Sequence, residues 1–206
     1  MRIAVLASGR GSNLQALINA IEGGFVPAEI TVVVSDKPEA MALQRADKHG
    51  LETAVFAGTE YPDRQSFDLA LVEFLKNKEI DLICLAGFMR ILGVEFVRAF
   101  SNRIINIHPS LLPSFPGLNV HQQALDYGVK FSGCTVHFVD EGTDTGPIIG
   151  QRVVPVLDGD TVESLAARIL DQEHELYPLV VRQIALGMVH VDGRTVSIIE
   201  GGNSNA

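Results

Sequence analysis

The sequence predicts an α/β fold: a doubly wound, mostly parallel twisted sheet with helices on both faces and antiparallel additions near the C-terminus. The first observation is an alternation along the chain between short apolar runs and longer segments whose apolar residues recur at helical spacing. The second is that the apolar runs are nearly continuous, which is typical of strands buried on both faces of a parallel sheet. The third is that 47% of the 206 residues are hydrophobic, enough for a sizeable core.

The first half of the chain follows this alternation. Residues 2–7 form an apolar run, and a glycine-rich turn at residues 8–13 leads into a helical pattern that Gly23 and Gly24 end. Strand–helix–strand units of this kind are connected in a right-handed sense, which favours a parallel sheet. Further strands are predicted at residues 29–35, 52–56 and 81–85, with helices at residues 41–49 and 67–78.

The second half completes the sheet. A β-branched run at residues 104–107 is stopped by His108 and Pro109. Thr161 is predicted to cap a long amphipathic helix that covers the sheet, and Pro178 is predicted to kink that helix. Further strands are predicted at residues 133–139 and 148–155, a short helix at residues 120–127 and a hairpin at residues 188–199.

The charge balance favours a small-molecule partner. With 16 basic and 25 acidic residues the formal charge is −9, which argues against bulk binding to nucleic acid or to an anionic membrane, although a local basic pocket can still hold a phosphate. The apolar runs are too short for a membrane span or a signal peptide. We therefore expect a cytoplasmic protein, either a monomer or a homodimer, that binds neither nucleic acid nor membrane.

The cysteines and histidines predict no metal cofactor. Cys84 and Cys134 lie in apolar, strand-like surroundings, so we expect buried free thiols in a reducing compartment rather than a disulfide. Their spacing matches no cysteine metal site. His108, His121 and His137 are the alternative ligands, but they lack the close spacing that metal sites usually show.

The glycine-rich turn at residues 8–13 predicts a phosphate site. Glycines let the backbone approach a ligand, and the free N–H groups of a helix start, here at Gly11, Ser12 and Asn13, suit a phosphate. A dinucleotide is disfavoured because Leu14 stands where the third glycine of the dinucleotide fingerprint belongs. The alternative is a tight turn that needs glycines only for its geometry.

Polar side chains interrupt the apolar run at the centre of the chain. Asn106 and His108 are two residues apart and share one face of the predicted strand, and Asp144 follows the strand predicted next. We expect the three to meet at one rim of the sheet, where open α/β sheets carry their chemistry. The carboxylate would hold the imidazole, the imidazole would move a proton, and the amide would hydrogen-bond an oxyanion. The alternative is an ordinary polar pair at a strand end.

This set lacks a nucleophile from the protein. Ser110 follows His108 too closely to be judged a triad member, and neither cysteine has an evident base nearby. We therefore expect the substrate to bring its own nucleophile. Acyl transfer between two bound small molecules needs only positioning, an oxyanion donor and a proton carrier.

Three stretches resemble a known family. IINIHPSLLPSFPG at residues 104–117, GCTVHFVDEGTDTGPII at residues 133–149 and SGRGSNLQALI at residues 8–18 resemble segments of the folate-dependent formyltransferases, and the likeness covers nearly the whole chain. It implies transfer of the formyl group of N10-formyltetrahydrofolate, as co-substrate, to the amine of 5-phosphoribosylglycinamide in purine biosynthesis. It also implies a catalytic trio. Asn106 and His108 would stabilise the tetrahedral intermediate, His108 would deliver the proton, and Asp144 would sustain the protonated histidine.

The same resemblance implies two binding regions. Gly11, Ser12 and Asn13 would hold the acceptor's phosphate, while Gln172 and Glu173 would contact its other end. Residues 1–200 would form a single formyltransferase domain, with a phosphate-binding half at 1–100, a catalytic and folate-binding half at 101–200, and a disordered tail at 201–206. The folate would be surrounded by Arg64, Met89, Arg90, Ile91, Leu92, Asn106, Asp140, Glu141, Gly142, Thr143 and Asp144.

Related activities are the alternatives. Methionyl-tRNA formyltransferase is similar around the Asn-x-His-Pro-Ser stretch, but it carries a further C-terminal domain for tRNA, and here the chain ends soon after the predicted hairpin. Formyltetrahydrofolate hydrolase has an N-terminal regulatory domain, whereas this sequence opens on the first strand. A nicotinamide-binding protein is disfavoured by Leu14, and a non-catalytic phosphosugar-binding protein by the set Asn106, His108 and Asp144.

Overall fold

A computed structural model describes residues 1–199 of the chain, which form nine strands and six α-helices. The strands are β1 (Arg2–Leu6), β2 (Glu29–Ser35), β3 (Thr53–Val55), β4 (Leu82–Leu85), β5 (Ile104–His108), β6 (Phe131–Phe138), β7 (Ile148–Pro155), β8 (Val189–Asp192) and β9 (Thr195–Ile198). The helices are α1 (Ser12–Glu22), α2 (Met41–Lys48), α3 (Arg64–Asn77), α4 (Val94–Ala99), α5 (Val120–Tyr127) and α6 (Val162–Ala185).

Seven strands form one twisted sheet in the order β3-β2-β1-β4-β5-β6-β7, and β8 pairs with β9 in a separate hairpin. The first five strands are parallel, whereas β6 and β7 are antiparallel to their neighbours. This confirms the predicted fold class. The chain winds from β1 to β2 on one side and later to β4 on the other, so the strand order reverses between β1 and β4. Such a switch point places the loops after β1 and β4 beside each other and leaves a crevice for ligands.

Helices bury both faces of the sheet. On one face, α1 and α6 contribute fully buried side chains such as Leu14 and Ile169, and on the other α3 and α4 contribute Phe67 and Phe96. Each such side chain stabilises the fold by about 1.5–3 kcal/mol relative to leaving it in water. Loops that follow the strands therefore start from a rigid support.

Helix α6 is fixed over the centre of the sheet by a buried tyrosine. The hydroxyl of Tyr177 donates to the carbonyl of Leu85 at 2.9 Å and lies 3.3 Å from the carbonyl of Ile105. Burial raises the pKa of Tyr177 well above its ordinary value, so the hydroxyl stays a donor. This contact sets Glu173, one helical turn earlier, beside the loop that follows β1.

Most predicted element bounds agree with the structure. The strands at residues 29–35 and 148–155 and the helix at residues 120–127 have the predicted limits. Helix α3 begins three residues earlier than predicted, because the Asp63 side chain accepts the N–H of Ser66 at 2.7 Å and caps the helix there. Helix α4 was not predicted, since six residues are too few to show a helical period. Pro178 lies inside α6, which runs through it as one helix.

Both cysteines are buried and free, as predicted. Burial raises the pKa of the Cys84 and Cys134 thiols to about 12, so neither is a ready nucleophile. Within residues 1–199 no helix is both long and apolar enough to cross a membrane. The tail predicted to be disordered, residues 201–206, lies outside the described residues.

Candidate active site

Strand β5 carries the two polar residues that interrupt its apolar pattern. Asn106 pairs across the antiparallel ladder with His137 of β6, and His108 pairs with Thr135. The side chains of Asn106 and His108 share one face of β5, as the spacing of two predicted. His108 is only 5% exposed, so its ring contacts are made with protein groups rather than bulk water.

The His108 ring faces an acceptor at each nitrogen. Its Nδ1 lies 3.5 Å from Oδ2 of Asp144, and its Nε2 lies 2.9 Å from the carbonyl oxygen of Phe115. The contact with the Phe115 carbonyl is a hydrogen bond, and Asp144 is a neighbouring carboxylate at ion-pair distance. The ring therefore lies between a hydrogen-bond acceptor and a negative charge.

Asp144 is held as a carboxylate in a partly buried position. Its Oδ2 accepts the backbone N–H of Gly117 at 2.8 Å, and its Oδ1 lies 3.6 Å from Nε2 of His137. Burial alone would raise the pKa of Asp144, but the interaction with the His137 ring, the Gly117 hydrogen bond and the nearby histidine charges outweigh it and lower that pKa. The residue has a left-handed φ of 55°, which Asp tolerates better than most residues.

The structure corrects the reason why His108 and Asp144 meet. They were expected at one rim because each follows a strand, but β6 is antiparallel to β5, and its last residue, Phe138, pairs with Ile105. The loop at residues 139–147 therefore starts level with the beginning of β5 rather than beyond its end. The loop then turns back toward β5 and places the Asp144 carboxylate 3.5 Å from the His108 ring and 3.6 Å from the His137 ring.

His137 is the site residue that sequence reasoning missed as a member of the cluster. It is 1% exposed, its Nδ1 lies 2.8 Å from the carbonyl oxygen of Phe138, and its Nε2 lies 3.3 Å from Nδ2 of Asn106. Nδ1 donates to the Phe138 carbonyl, and Nε2 lies between the Asn106 amide and the Asp144 carboxylate, so the ring links Asn106 to Asp144. The alternation of side chains along β6 indicates which face of the strand His137 occupies. The strand register that places His137 opposite Asn106 could not be predicted from the sequence.

The glycine-rich turn presents backbone donors at the start of α1. Gly11 has φ 69°, and a Cβ there would lie 2.7 Å from Cα of Ala42, so only glycine fits. No side chain of residues 1–199 caps α1, and the N–H groups of Ser12 and Asn13, in the first turn, lack an intrahelical partner. A cavity of about 690 Å³ opens beside Ser12, between α1 and α6, and its lining includes Arg45 and His174.

Asn13 and Glu173 meet although 160 residues separate them. Nδ2 of Asn13 donates to Oε2 of Glu173 at 2.7 Å, and both side chains are buried. Burial raises the pKa of Glu173, and the hydrogen bond from Asn13 only partly opposes it. The Asn13 side chain thus hydrogen-bonds Glu173, while the Asn13 backbone N–H belongs to the helix start that follows the turn. Gln172 is half-buried next to Glu173.

The segment predicted to surround the folate begins directly after β4. Met89 and Ile91 are 62% and 71% exposed, whereas Leu92 is buried. The backbone N–H of Met89 donates to the Ser8 hydroxyl at 2.8 Å and so joins this segment to the loop after β1. Arg90 lies over the ring of Phe67, 4.3 Å from its centre.

The acidic loop predicted for the folate is braced by its own side chains. Asp140 accepts the hydroxyl of Thr145 at 2.6 Å and the N–H of Gly142 at 3.1 Å, and Glu141 pairs with Arg98 at 2.7 Å. Thr143 lines a cavity of about 240 Å³ together with Asp144 and Pro113. Arg64 is half-exposed at the start of α3, where its Nε lies 3.7 Å from Oδ2 of Asp68.

The chain matches the family model described as "Formyl transferase" over residues 1–181. It belongs to the formyl transferase family. Among curated relatives, a phosphoribosylglycinamide formyltransferase of Bacillus subtilis is 42% identical over 89% of this chain and 94% of its own length. A trifunctional purine biosynthetic protein adenosine-3 of Drosophila pseudoobscura is 52% identical over 90% of this chain. This chain spans only 14% of that longer protein.

Solved structures of formyl transferases agree with the fold described above. Glycinamide ribonucleotide transformylase 1 from Symbiobacterium toebii superposes with a TM-score of 0.95 at 50% identity, over 97% of this chain and 94% of its own. A formyltetrahydrofolate deformylase from Pseudomonas syringae superposes with a TM-score of 0.90 at 26% identity, over 97% of this chain and 66% of its own. The family predicted from the three sequence stretches is thereby confirmed.

Proposed function

We propose that this chain transfers the formyl group of N10-formyltetrahydrofolate to the amine of 5-phosphoribosylglycinamide, giving formylglycinamide ribonucleotide and tetrahydrofolate in purine biosynthesis. The observation that carries the proposal is the meeting of Asn106, His108 and Asp144 in one cluster. The names of the similar proteins, phosphoribosylglycinamide formyltransferase and glycinamide ribonucleotide transformylase, support the choice of acceptor.

The chemistry needs no nucleophile from the protein. The acceptor amine attacks the formyl carbon, a new C–N bond forms, and the carbonyl oxygen takes the negative charge of a tetrahedral intermediate. The bond between the formyl carbon and N10 then breaks, N10 takes up one proton, and the acceptor nitrogen loses one. The NH2 group of Asn106, which lies next to His137, and the His108 ring are the proposed donors for the oxyanion.

His108 is the proposed proton carrier and Asp144 its partner. The carboxylate, 3.5 Å from Nδ1, stabilises the ring while it is charged. A proton leaves the ring only when one of its two contacts is exchanged for a contact with substrate. The contact that is exchanged is the one with the neutral Phe115 carbonyl, because the Asp144 carboxylate is needed while the ring is charged.

The acceptor is proposed to lie along α1. Its phosphate would accept from the N–H groups of Gly11, Ser12 and Asn13, because an uncapped helix start attracts an anion. Glu173, oriented by Asn13, would accept from hydroxyl groups at the acceptor's other end, next to Gln172.

The folate is proposed to lie against the segment after β4 and the acidic loop. Exposed Met89 and Ile91 offer apolar surface for a flat ring, and Arg90, Leu92 and the Asp140–Asp144 stretch, which includes Glu141, Gly142 and Thr143, would enclose it. Arg64, half-exposed, would meet the carboxylates of the glutamyl tail. The proposed partners are thus two small molecules. From the sequence we also propose a cytoplasmic location and a monomeric or homodimeric state.

Hydrolysis of formyltetrahydrofolate is the second candidate, because a deformylase shares the fold. Transfer is favoured because the similar transformylases are 40–50% identical to the chain, against 26% for the deformylase. Folate absorbance followed with and without phosphoribosylglycinamide separates the two. We expect tetrahydrofolate to form only when the amine is present. Release of formate at a comparable rate without the amine would reject transfer in favour of hydrolysis.

A further inference from the structure

The described residues include a buried carboxylate beneath the proposed folate segment that the mechanism does not use. Asp68 of α3 is 3% exposed, and its Oδ1 has no hydrogen-bond partner among residues 1–199. A carboxylate in this position is costly, because removing it from water is compensated at only one of its two oxygens. Burial accordingly raises the pKa of Asp68, against the opposing effects of Gly93, Arg64 and Arg90.

The compensated oxygen joins α3 to the segment after β4. Oδ2 of Asp68 accepts the backbone N–H of Gly93 at 2.8 Å and lies 3.7 Å from Nε of Arg64. Gly93 directly follows Leu92 and precedes α4, so this bond fixes the end of the segment that carries Met89 and Ile91. Hydrogen bonds to a charged acceptor are worth more than neutral ones.

Gly93 is the only residue type that fits against this carboxylate. A Cβ at position 93 would overlap Oδ2 of Asp68. The backbone of Gly93, with φ −78° and ψ 166°, is one that any residue adopts, so glycine is required here by space and not by conformation. The Asp68 carboxylate therefore packs directly against the backbone of Gly93.

Two guanidinium groups complete the arrangement. Arg64 lies one turn before Asp68 on α3, and Arg90 is held over the ring of Phe67, the residue preceding Asp68. A Cβ at Gly58 would overlap the Arg90 guanidinium, so this arginine is confined on a second side. One buried carboxylate thus lies at ion-pair distance from Arg64 and accepts from the backbone of Gly93 at the end of the segment that carries Met89 and Ile91.

We propose that Asp68 is a positioning residue for the formylfolate: it holds the segment from Met89 to Gly93 and orients Arg64 toward the folate without touching the folate itself. The inference rests on the proposed function, because it assigns these groups to the folate rather than to the acceptor. It implies that loss of the carboxylate weakens the use of one substrate and not of the other.

The test compares Asp68→Ala, Asp68→Asn and a control, Glu73→Gln, which changes an exposed carboxylate on the same helix. We expect Asp68→Ala to raise KM for the formylfolate about tenfold or more, as loss of a charge-assisted hydrogen bond predicts. KM for phosphoribosylglycinamide and kcat should stay within about threefold. Asp68→Asn keeps an acceptor for Gly93 but not the charge beside Arg64, so it should recover only part of the loss, and Glu73→Gln should match the unchanged protein.

The variant Gly93→Ala makes the test independent of folding defects at Asp68. Alone, it should raise KM for the formylfolate, because the added methyl group displaces Oδ2 of Asp68. Combined with Asp68→Ala it should add less than a further twofold, since the space is then free. If the two substitutions acted independently, their effects on KM for the formylfolate would multiply instead.

The outcomes separate the two proposals. If the unchanged protein transfers formyl groups and Asp68→Ala alters both KM values equally, or neither, the positioning role is wrong. A multiplicative effect of the double variant also overturns it. If the unchanged protein transfers no formyl group at all, the proposed function itself is wrong.

Discussion

Replacing Asp144 by Asn tests the central contact of the proposed mechanism. The substitution keeps the size of the side chain and an oxygen that can accept the N–H of Gly117, but it removes the charge that faces His108 at 3.5 Å. A protonated His108 then lacks its counter-charge. Because the Asp144 side chain is only 12% exposed, water replaces little of this interaction.

The size of the effect follows from the distance. Two unit charges 3.5 Å apart interact with about 5 kcal/mol at an effective dielectric constant of ~20, which is an upper limit because it ignores the cost of removing both groups from water. Net values for hydrogen bonds to charged groups are about 1.5–3 kcal/mol. A loss of about 2–3 kcal/mol in the transition state lowers kcat by about 30- to 160-fold.

Steady-state formyl transfer, followed by folate absorbance, measures this change. The matched control is Asp158→Asn, an exposed carboxylate in the loop before α6, which should leave kcat unchanged. Circular dichroism should show that the Asp144→Asn protein keeps its fold. A kcat within threefold of the unchanged protein would show that the Asp144 charge does not support His108 during the reaction.

Three further outcomes are expected. His108→Ala should lower turnover by about 10²-fold or more while the unfolding transition remains cooperative, and near-normal turnover would remove His108 from the mechanism. Inorganic phosphate should raise the apparent KM for phosphoribosylglycinamide and not for the formylfolate; competition with the folate alone would contradict the position given to residues 11–13. Because burial raises the pKa of Glu173, the folded protein holds its proton to a higher pH than the unfolded chain does, and stability is lost as the pH rises from about 4.5 through the folded pKa. Glu173→Gln should lack this loss, so its free energy of unfolding relative to the unchanged protein should rise across that window, and a difference that is constant with pH would contradict the reasoning.

The parts of the site that could be predicted are those set by local sequence. Asn106 and His108 interrupt an apolar run at a spacing of two, and a strand then places them on one face whatever its neighbours are. The turn at Gly11 could be predicted for the same reason, because its glycine, the strand before it and the helix after it are adjacent in the chain.

The parts that could not be predicted depend on strand direction and register. Whether β6 runs with or against β5 decides which end of β5 the loop carrying Asp144 leaves from, and the apolar pattern of β6 is the same in both directions. The register that pairs His137 with Asn106 is set by the packed sheet as a whole. The burial of Asp68 could not be predicted either, because an acidic residue in an amphipathic helix usually faces water.

The position of Asp144 therefore depends on how its loop is closed rather than on its place in the sequence. The N–H of Phe138 donates to the carbonyl of Pro147 at 2.9 Å, which brings the two ends of the loop together. A Cβ at Gly146 would overlap the carbonyl of Phe138, so this closure requires a glycine. Between these ends Asp144 adopts its left-handed φ and presents one carboxylate oxygen to each of two histidines. The proposed partner of His108, 36 residues away in the sequence, is thus held by a short closed loop, and the geometry of that closure sets its position more than the identity of the acidic residue alone.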